Sequence, residues 1–468
     1  MAERIERDSM GERTLAADAY YGIQTQRALE NFPVSGLKPL PNYVRACIWI
    51  KKAAALVNGQ LDCIPSVVAD GIVRACDEVL DGKLVDQFVV DIFQAGAGTS
   101  HHMNVNEVLA NRALELLGFQ RGDYKQVSPN DHVNYGQSTN DVIPTAIRLA
   151  ALLGRDLFFA ALEALIQAFE AKGREFQGVI KSGRTHLQDA VPVRLGDEFF
   201  AYAQILTEHR GRLEQSFQEL YVLGLGGSAA GTGLNTHPQY RRAVIQTLSE
   251  LTGFPLVPAL RPMAAMQSMG AFVAISGSLR NLAQDLVKIA NDLRLLDSGP
   301  RTGLSEIKLP PVQPGSSIMP GKYNPVLCEM LTMVCFQVIG YDQTITLAAQ
   351  AGQLELNVMM PLIAYDLGHS LQILTNALNL FAERCIVGII AYPERCLVYA
   401  EGSLALVTAL NPHIGYLAAA AVAQESLKTG KSLREIVIAR GLLSAEQLGE
   451  ILNLEEMSQL PEDISGSK

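Results

Sequence analysis

Five long stretches with helical periodicity dominate the middle of this 468-residue chain. Apolar residues recur in them at intervals of three or four, as at Ile275, Leu279 and Leu282. The stretches cover residues 141–172, 196–222, 264–296, 325–350 and 353–388. A usual globular helix has roughly 11–12 residues, and rods that are much longer pack best side by side in a bundle. Pro361 lies inside the last stretch, where it should kink the helix.

Charge is scarce along the chain: charged residues make up 18% of it and apolar residues 48%. So little charge on long helices predicts that much of their surface is buried, and association with further copies of the chain is the simplest way to bury it. The formal net charge is −10, and no run rich in Lys and Arg could neutralise phosphates. The composition therefore argues against a nucleic-acid partner.

The cysteines and the N-terminus indicate the compartment. Seven cysteines are scattered without a CxxC pair, which is typical of free, mostly buried thiols in a reducing environment. The first eight residues, MAERIERD, are charged and lack the apolar core of a signal peptide. No apolar run reaches about 18–20 residues without polar breaks. We therefore expect no membrane span and a cytoplasmic location.

The pattern of breakers and helices predicts three regions. Residues 1–138, punctuated by Gly and Pro, form an N-terminal mixed, mostly helical domain. Residues 139–394 hold the central long-helix bundle, and residues 395–468 form a small C-terminal helical domain with shorter elements. The last region should contain two short capped helices, the second of them beginning at a serine N-cap, Ser444.

The most distinctive segment is 314–325, PGSSIMPGKYNP. Its three prolines and two glycines exclude a helix or a regular strand, although helical patterns lie on both sides. It also carries hydroxyls, an amine and an amide, in particular at Ser316, Lys322 and Asn324. A linker needs no such chemistry. We predict a loop that closes over a polar ligand.

Three further segments are rich in hydroxyl and amide side chains: 98–100 (GTS), 137–141 (QSTND) and 183–189 (GRTHLQD). Two of them lie at predicted helix N-termini, where backbone N–H groups and the helix dipole favour an anion. Their Thr, Ser, Asn and His side chains, with the loop lysine, are the donors that a carboxylate needs. The sequence thus indicates a site for a small, oxygen-rich anion such as a dicarboxylate.

Simpler interpretations exist for the same patterns. Residues 138–141 could be only an N-cap, residues 98–100 an ordinary turn, and His186 a hydrogen-bonded histidine without a ligand. The Gly-rich segment 223–233 resembles a phosphate loop, but no strand precedes it and no Lys-Ser/Thr ends it, so a tight crossing or a hydroxyl-lined wall fits better. The adjacent histidines at 101–102 do not converge on one ion, so we predict no metal site.

The loop sequence GSSIMPGKYNP matches the signature GSSxMPxKxN, and in this the chain resembles the aspartase/fumarase superfamily. The resemblance runs nearly end to end. Further matching blocks are 18–25, 96–100, 137–141, 183–190, 231–235 and 351–359. It implies a mainly α, aspartase/fumarase-like fold whose long central bundle assembles into the superhelical core of a homotetramer. It also implies active sites shared between three chains, with no cofactor and no metal.

Within the superfamily the chain is most similar to the aspartate ammonia-lyases, which interconvert L-aspartate with fumarate and ammonia. Four short sequence segments favour this branch: AYYG at 19–22, GAGTS at 96–100, QSTN at 137–140 and AGQLELNVM at 351–359. The first alternative is fumarate hydratase, which adds water to fumarate to give L-malate. The second alternative is a catalytically inactive structural homologue. The intact loop residues argue against it.

The resemblance also implies a role for each site residue. The Cβ proton of aspartate is very weakly acidic, so donors must stabilise the neighbouring carboxylate as it takes up charge in an aci-carboxylate. The implied donors on that carboxylate are Thr99, Ser138, Thr139, Lys322 and Asn324. The remaining substrate-binding residues are Asn140, Thr185 and His186, the last two at the second carboxylate and near the amino group. Ser316 is implied as the base, so the catalytic residues are Ser316, His186 and Lys322.

Several positions depart from the family pattern. Tyr323 stands in the loop where a small aliphatic residue is usual, and His102 stands where Asn is common. Met360 replaces an acidic residue. The catalytic residue types are intact, so these departures leave open only the substrate choice and the rate.

Overall fold

The computed structural model describes residues 3–459, and most of them lie in helices. The helices are α1 (Ile23–Asn31), α2 (Pro41–Gln60), α3 (Ser66–Leu80), α4 (Thr99–Leu116), α5 (Thr139–Glu175), α6 (Leu195–Gln218), α7 (Tyr240–Thr252), α8 (Pro262–Gln267), α9 (Gly270–Leu296), α10 (Val326–Gln350), α11 (Met360–Phe381), α12 (Pro393–Gly402), α13 (Val407–Ile414), α14 (Tyr416–Thr429), α15 (Leu433–Ala439), α16 (Ala445–Ile451) and α17 (Leu454–Met457). The predicted mainly α class is confirmed.

Each of the five predicted rods corresponds to a long helix; these helices are α5, α6, α9, α10 and α11. The predicted kink at Pro361 is wrong, because α11 begins at Met360 and the proline occupies its first turn, where no backbone donor is lost. Just before α11, the buried Asn357 side chain bonds to the backbone at the end of α10 and at the start of α11. Its amide donates to the carbonyls of Ala348 and Ala349, and its oxygen accepts from Met359 N.

Strands are short and occur in pairs within the described residues. They are β1 (Glu3–Asp8), β2 (Gly11–Ala16), β3 (Ile180–Thr185), β4 (Gln188–Arg194), β5 (Val222–Leu223), β6 (Val257–Pro258), β7 (Ile307–Lys308) and β8 (Ile390–Ala391). The pairs β1–β2, β3–β4 and β7–β8 are antiparallel, and β5–β6 is parallel. Each pair is a separate two-stranded sheet.

The chain forms two compact units. The first contains the described residues up to Ala160 together with His209–Gln284 and Val334–Thr375. The second contains Ala161–Glu208, Asp285–Met333 and the described residues from Asn376 onward. The boundaries fall within the five longest helices. The predicted regions 1–138, 139–394 and 395–468 stay a prediction.

Each unit has its own apolar core. In the first, α2 packs on α3 and α7, and α3 packs on α4. In the second, eight apolar side chains of α13–α16 and their connections cluster away from solvent; they are Leu406, Leu410, Val422, Leu433, Ile436, Val437, Leu448 and Leu452. The predicted serine N-cap is present: Ser444 accepts from Gln447 N, and Ser432 caps α15 in the same way. Both capping boxes satisfy backbone donors that the helix itself leaves free.

All seven cysteines are free, and six of them are buried. This agrees with the expectation of scattered thiols that act as small apolar side chains. No helix in the described part of the chain has both the length and the apolar character that a membrane span requires.

Candidate active site

Thr99 begins α4 after a tight turn. The turn needs left-handed backbone at Ala97 (φ 63°) and Gly98 (φ 89°), the second of which favours glycine. Ala97 N donates to Val358 O at 2.8 Å, and Gly98 lies close against Ile143 of α5. The turn is therefore fixed from two sides, and it presents the exposed Thr99 at a helix N-terminus.

The start of α5 is built around a cap. Ser138 Oγ accepts from Asn140 N at 3.2 Å, and Ser138 N donates to Asp141 Oδ1 at 2.9 Å. The N-cap interpretation of this segment is thus correct, yet the serine proton is still available as a donor. The other carboxylate oxygen of Asp141 accepts from the backbone N–H groups of Gly226 and Ser228. The Gly-rich segment is therefore anchored to the N-terminus of α5.

A buried ammonium lies among these segments. Lys51 on α2 is fully buried, and its Nζ contacts His102 Nε2 at 2.7 Å, Gln137 Oε1 at 2.8 Å and Asn134 Oδ1 at 2.9 Å. Burial lowers the pKa of Lys51 to about 7. This cluster of Lys51, His102, Asn134 and Gln137 is called the lysine cage below.

The lysine cage connects two of the predicted site segments. His102 Nδ1 lies 2.8 Å from Thr139 Oγ1, and Thr99 lies one helical turn before His102 on α4. Asn140 Nδ2 donates to Ala229 O at 2.8 Å. The structure thus brings Thr99, Thr139 and their neighbours together at two adjacent helix N-termini within the first unit.

Thr185 and His186 lie in the second unit, at the tip of the β3–β4 hairpin. Thr185 pairs with Gln188, so His186 and Leu187 form the two-residue turn. Both turn residues have positive φ, 56° and 58°, as the tightest hairpin turns require. A positive φ is uncommon for a residue other than glycine. The side chains of Thr185 and His186 are exposed.

The base of this hairpin is held by buried charges. Arg184 Nη1 donates to both oxygens of Glu306, at 3.0 and 2.9 Å, and Glu306 has no exposed side-chain surface. Lys181 pairs with Glu198 at 2.8 Å and with Glu306 at 3.5 Å. Burial raises the pKa of Glu198, while Lys181 acts in the opposite direction. The exposed tip therefore stands on a base of paired and largely buried ionisable side chains.

The loop 314–325 also lies in the second unit. Ser316 Oγ accepts from Met319 N at 3.1 Å and from Ile318 N at 3.3 Å. Gly315 N donates to Lys322 O at 2.8 Å, which closes the loop on itself. A side chain at Gly315 would collide with the backbone at Lys322 and Asn324, so this close approach requires glycine.

The two other predicted loop residues are paired with each other. Lys322 Nζ donates to Asn324 Oδ1 at 2.8 Å, and Asn324 Nδ2 donates to Gly315 O at 2.9 Å. Residues 321–325 border a cavity of about 690 Å³ in the same unit, whose lining includes the cationic side chains Arg294 and Lys308. Lys322 itself is exposed, so its charge faces solvent.

The predicted site residues thus form three groups. Thr99 and residues 138–140 lie in the first unit. The hairpin tip, with Thr185 and His186, and the loop 314–325 both lie in the second unit. The lysine cage was missed by sequence reasoning. A signal for it existed, because the positions three and four residues before and after Lys51 on α2 are apolar and buried; they are Cys47, Ile48, Ala54 and Ala55. A lysine on the buried face of a helix needs acceptors, and the sequence offers them at 134 and 137.

Comparison with known proteins gives consistent results. A family model described as "Lyase" matches residues 11–340, and one described as "Fumarase C C-terminus" matches residues 406–459. The chain is 49% identical to an aspartate ammonia-lyase of Bacillus subtilis, over 97% of this chain and 96% of the relative. It is 51% identical to an aspartate ammonia-lyase of Pseudomonas aeruginosa, over 97% of each.

Two solved structures superpose on nearly the whole of this chain. A fumarate lyase:delta crystallin from Brucella melitensis superposes with a TM-score of 0.95 at 52% identity, covering 98% of this chain and 100% of the other. A class II fumarase from Schistosoma mansoni gives a TM-score of 0.94 at 39% identity, with 98% and 99% covered. The fold is therefore shared with a fumarate lyase and a class II fumarase, and the sequence identity to the aspartate ammonia-lyases is higher than that to the fumarase.

Proposed function

This chain belongs to the aspartase/fumarase superfamily of lyases, and from that premise we propose that it interconverts L-aspartate with fumarate and ammonia. The observation that carries the proposal is the identity of about half of all residues to aspartate ammonia-lyases over nearly the whole chain. The fumarase from Schistosoma mansoni is less similar, at 39%. The predicted superfamily and the predicted carbon–nitrogen lyase activity are confirmed on this basis.

The first step of the reaction is removal of the Cβ proton. It is feasible only if the adjacent carboxylate accepts the charge as a doubly negative aci-carboxylate. We assign the donors for this group to Thr99, Ser138 and Thr139, together with Lys322 and Asn324. The N-termini of α4 and α5 support the assignment, because each helix dipole favours negative charge at its N-terminal end. Asn140 contributes to substrate binding from the same turn.

Ser316 is the proposed base. A serine hydroxyl is a poor base until its oxyanion is stabilised. The two backbone N–H groups that point to Ser316 Oγ, from Ile318 and Met319, supply part of this stabilisation because they favour the charged form. The ammonium of Lys322 adds positive charge in the same loop. Loop closure over the substrate would exclude water and strengthen both effects.

Thr185 and His186 are proposed to bind the second carboxylate and to lie near the departing amino group. Their position at a fixed hairpin tip supports this, because a rigid base limits the freedom of the exposed donors. None of the proposed steps requires a metal or an organic cofactor.

We also propose a homotetramer in which three chains build each active site. The exposed face of α10 supports association. It carries Met333, Phe336 and Leu347, which are 66%, 60% and 52% exposed, and the intervening exposed residues Gln337 and Gln343 are uncharged. A long uncharged helical face suits burial against a second copy of the same chain. The free thiols support the proposed cytoplasmic location.

Incubation of the purified protein with fumarate, with and without ammonium, tests the activity. We expect aspartate to form only with ammonium, as measured by loss of fumarate absorbance and by proton NMR of the product. Malate formed without ammonium would identify a fumarate hydratase instead. Absence of both products, from protein with a normal circular dichroism spectrum, would identify an inactive homologue.

A further inference from the structure

The lysine cage lies directly behind one of the proposed substrate donors. We propose that Lys51 and His102 are positioning residues that direct the Thr139 hydroxyl proton toward the substrate carboxylate. The inference rests on the proposed function, because it assumes a carboxylate at Thr139. Neither Lys51 nor His102 is assigned contact with the substrate; both act through Thr139.

The first step is a count of donors at Lys51. An ammonium has three N–H donors and no acceptor. Its three neighbours are His102 Nε2, Asn134 Oδ1 and Gln137 Oε1. The amides are oriented by their other bonds, since Asn134 Nδ2 donates to Gln137 O and Gln137 Nε2 donates to Val133 O. All three donors are therefore used, and His102 Nε2 must accept.

The second step follows from the chemistry of imidazole. A neutral histidine carries one proton, so acceptance at Nε2 places that proton on Nδ1. Burial, together with the nearby Lys51 and His101, lowers the pKa of His102 well below its usual value, which keeps the ring neutral. His102 Nδ1 then donates to Thr139 Oγ1. The Thr139 hydroxyl already accepts a bond on this side, so its own proton points elsewhere.

The third step is a dependence on pH. When Lys51 loses its charge, the amine retains two donors for the two amide oxygens and gains a lone pair for His102 Nε2. One proton passes from Lys51 to Nε2 and one leaves Nδ1 for solvent. Nδ1 then accepts from Thr139, and the hydroxyl is no longer free to donate to substrate. Because burial lowers the pKa of Lys51 to about 7, this reversal falls near neutral pH.

Other titratable groups lie near the cage. They are Cys47 on α2, Cys76 on α3, His101 on α4, Asp141 on α5 and Tyr240 on α7. Burial raises the pKa of both thiols and of the phenol, and lowers the pKa of His101 to about 3, so these four stay neutral near pH 7. Burial raises the pKa of Asp141 to about 6. A Thr139→Val variant keeps the Asp141 titration, so comparison with it isolates the hydroxyl.

A double-mutant cycle separates positioning from general damage. Succinate binding is measured by calorimetry in wild type, His102→Gln, Thr139→Val and the double variant. Glutamine can still accept from Lys51 but has no group in the place of Nδ1. We expect His102→Gln to weaken succinate binding about tenfold when position 139 is threonine. In the Thr139→Val background, the same substitution should weaken it less than about twofold. An equal factor in both backgrounds would overturn the proposal.

His101→Gln is the matched control. His101 is the adjacent buried histidine, stacked on Tyr43, with its Nε2 3.7 Å from Cys47 Sγ. The same substitution there should change succinate binding by the same factor with and without the Thr139 hydroxyl. A hydroxyl-dependent effect of His101→Gln as large as that of His102→Gln would contradict a specific role for His102.

A second measurement needs no substitution in the cage. The succinate dissociation constant of wild type should rise about tenfold between about pH 6 and pH 9, and that of Thr139→Val should rise much less. Parallel pH profiles would overturn the proposal even if the cage variants fail to fold. Succinate binding requires no turnover, so these results stand apart from the fumarate assay. A protein that shows the predicted cycle but makes no aspartate would refute the activity and not the positioning.

Discussion

The lysine cage and the loop 314–325 hold polar groups in opposite ways. In the cage, a fully buried ammonium is surrounded by three acceptors from two other segments of the first unit, namely α4 and the connection that precedes α5. In the loop, an exposed ammonium contacts an amide two residues away, and the main hydrogen bonds stay within the loop itself. The cage suits donors that must be fixed before substrate arrives. The loop suits a base that must approach after substrate has bound.

The largest expected effect tests the loop. Ser316→Ala should lower kcat by about four orders of magnitude, because the proton acceptor is lost while the binding groups remain. The rate of fumarate formation from aspartate measures it. Ser317→Ala is the matched control, since Ser317 is the exposed neighbour with the same side chain, and it should retain kcat within about threefold. Comparable losses in both variants would remove Ser316 from the role of base.

Lys322→Ala tests the charge of the same loop. The Lys322 ammonium is proposed as a charge-assisted donor to the substrate carboxylate, so its loss should weaken succinate binding about 100-fold. Inhibition constants at one fixed pH measure it. The control is Lys428→Ala at an exposed position on α14, which should leave inhibition unchanged. Unchanged inhibition in Lys322→Ala would mean that the loop, unlike the cage, contributes no charge to substrate binding.

The hairpin combines both designs, with an exposed tip on a buried base. Arg184→Met should lower the free energy of unfolding by about 3 kcal/mol, because Glu306 would remain buried with only the more distant Lys181. Arg194→Met is the control on the same hairpin, since its partner Glu455 is 62% exposed and such a pair contributes about 1 kcal/mol at most. Thermal unfolding measures both. Equal shifts in Tm would show that burial at the hairpin base contributes nothing.

The same contrast explains what the sequence could predict. The long rods and the loop depend on local patterns: helical periodicity on either side of a segment with three prolines. The capped start of α5 is local as well, since Ser138 and Asp141 are three residues apart. These features can be predicted because their causes lie within a few residues of one another.

The lysine cage cannot be predicted from a local sequence pattern, because its residues lie far apart in the chain. Lys51 and Asn134 are 83 residues apart, and His102 reaches Thr139 across 37 residues. Only the packing of α2, α4 and the start of α5 brings these groups together, so a single sequence gives their types and not their pairing. The start of α11 was mispredicted because the Asn357 side chain bonds to the carbonyls of Ala348 and Ala349, and helical periodicity does not reveal a side-chain bond of this kind.

The smallest expected effect concerns Ser138, whose Oγ caps α5 and is also proposed to donate to the substrate carboxylate. Ser138→Ala removes both the cap and the donor, and the lost cap should lower the free energy of unfolding by about 1 kcal/mol. Ser138→Gly should cost only a few tenths of a kcal/mol, because glycine is tolerated at an N-cap, but it removes the donor equally. If the donor acts on substrate, the two variants should lose similar kcat/KM despite different stability. If activity instead follows stability across the two variants, Ser138 is a helix cap alone, and substrate binding by the first unit depends on Thr99, Thr139 and Asn140.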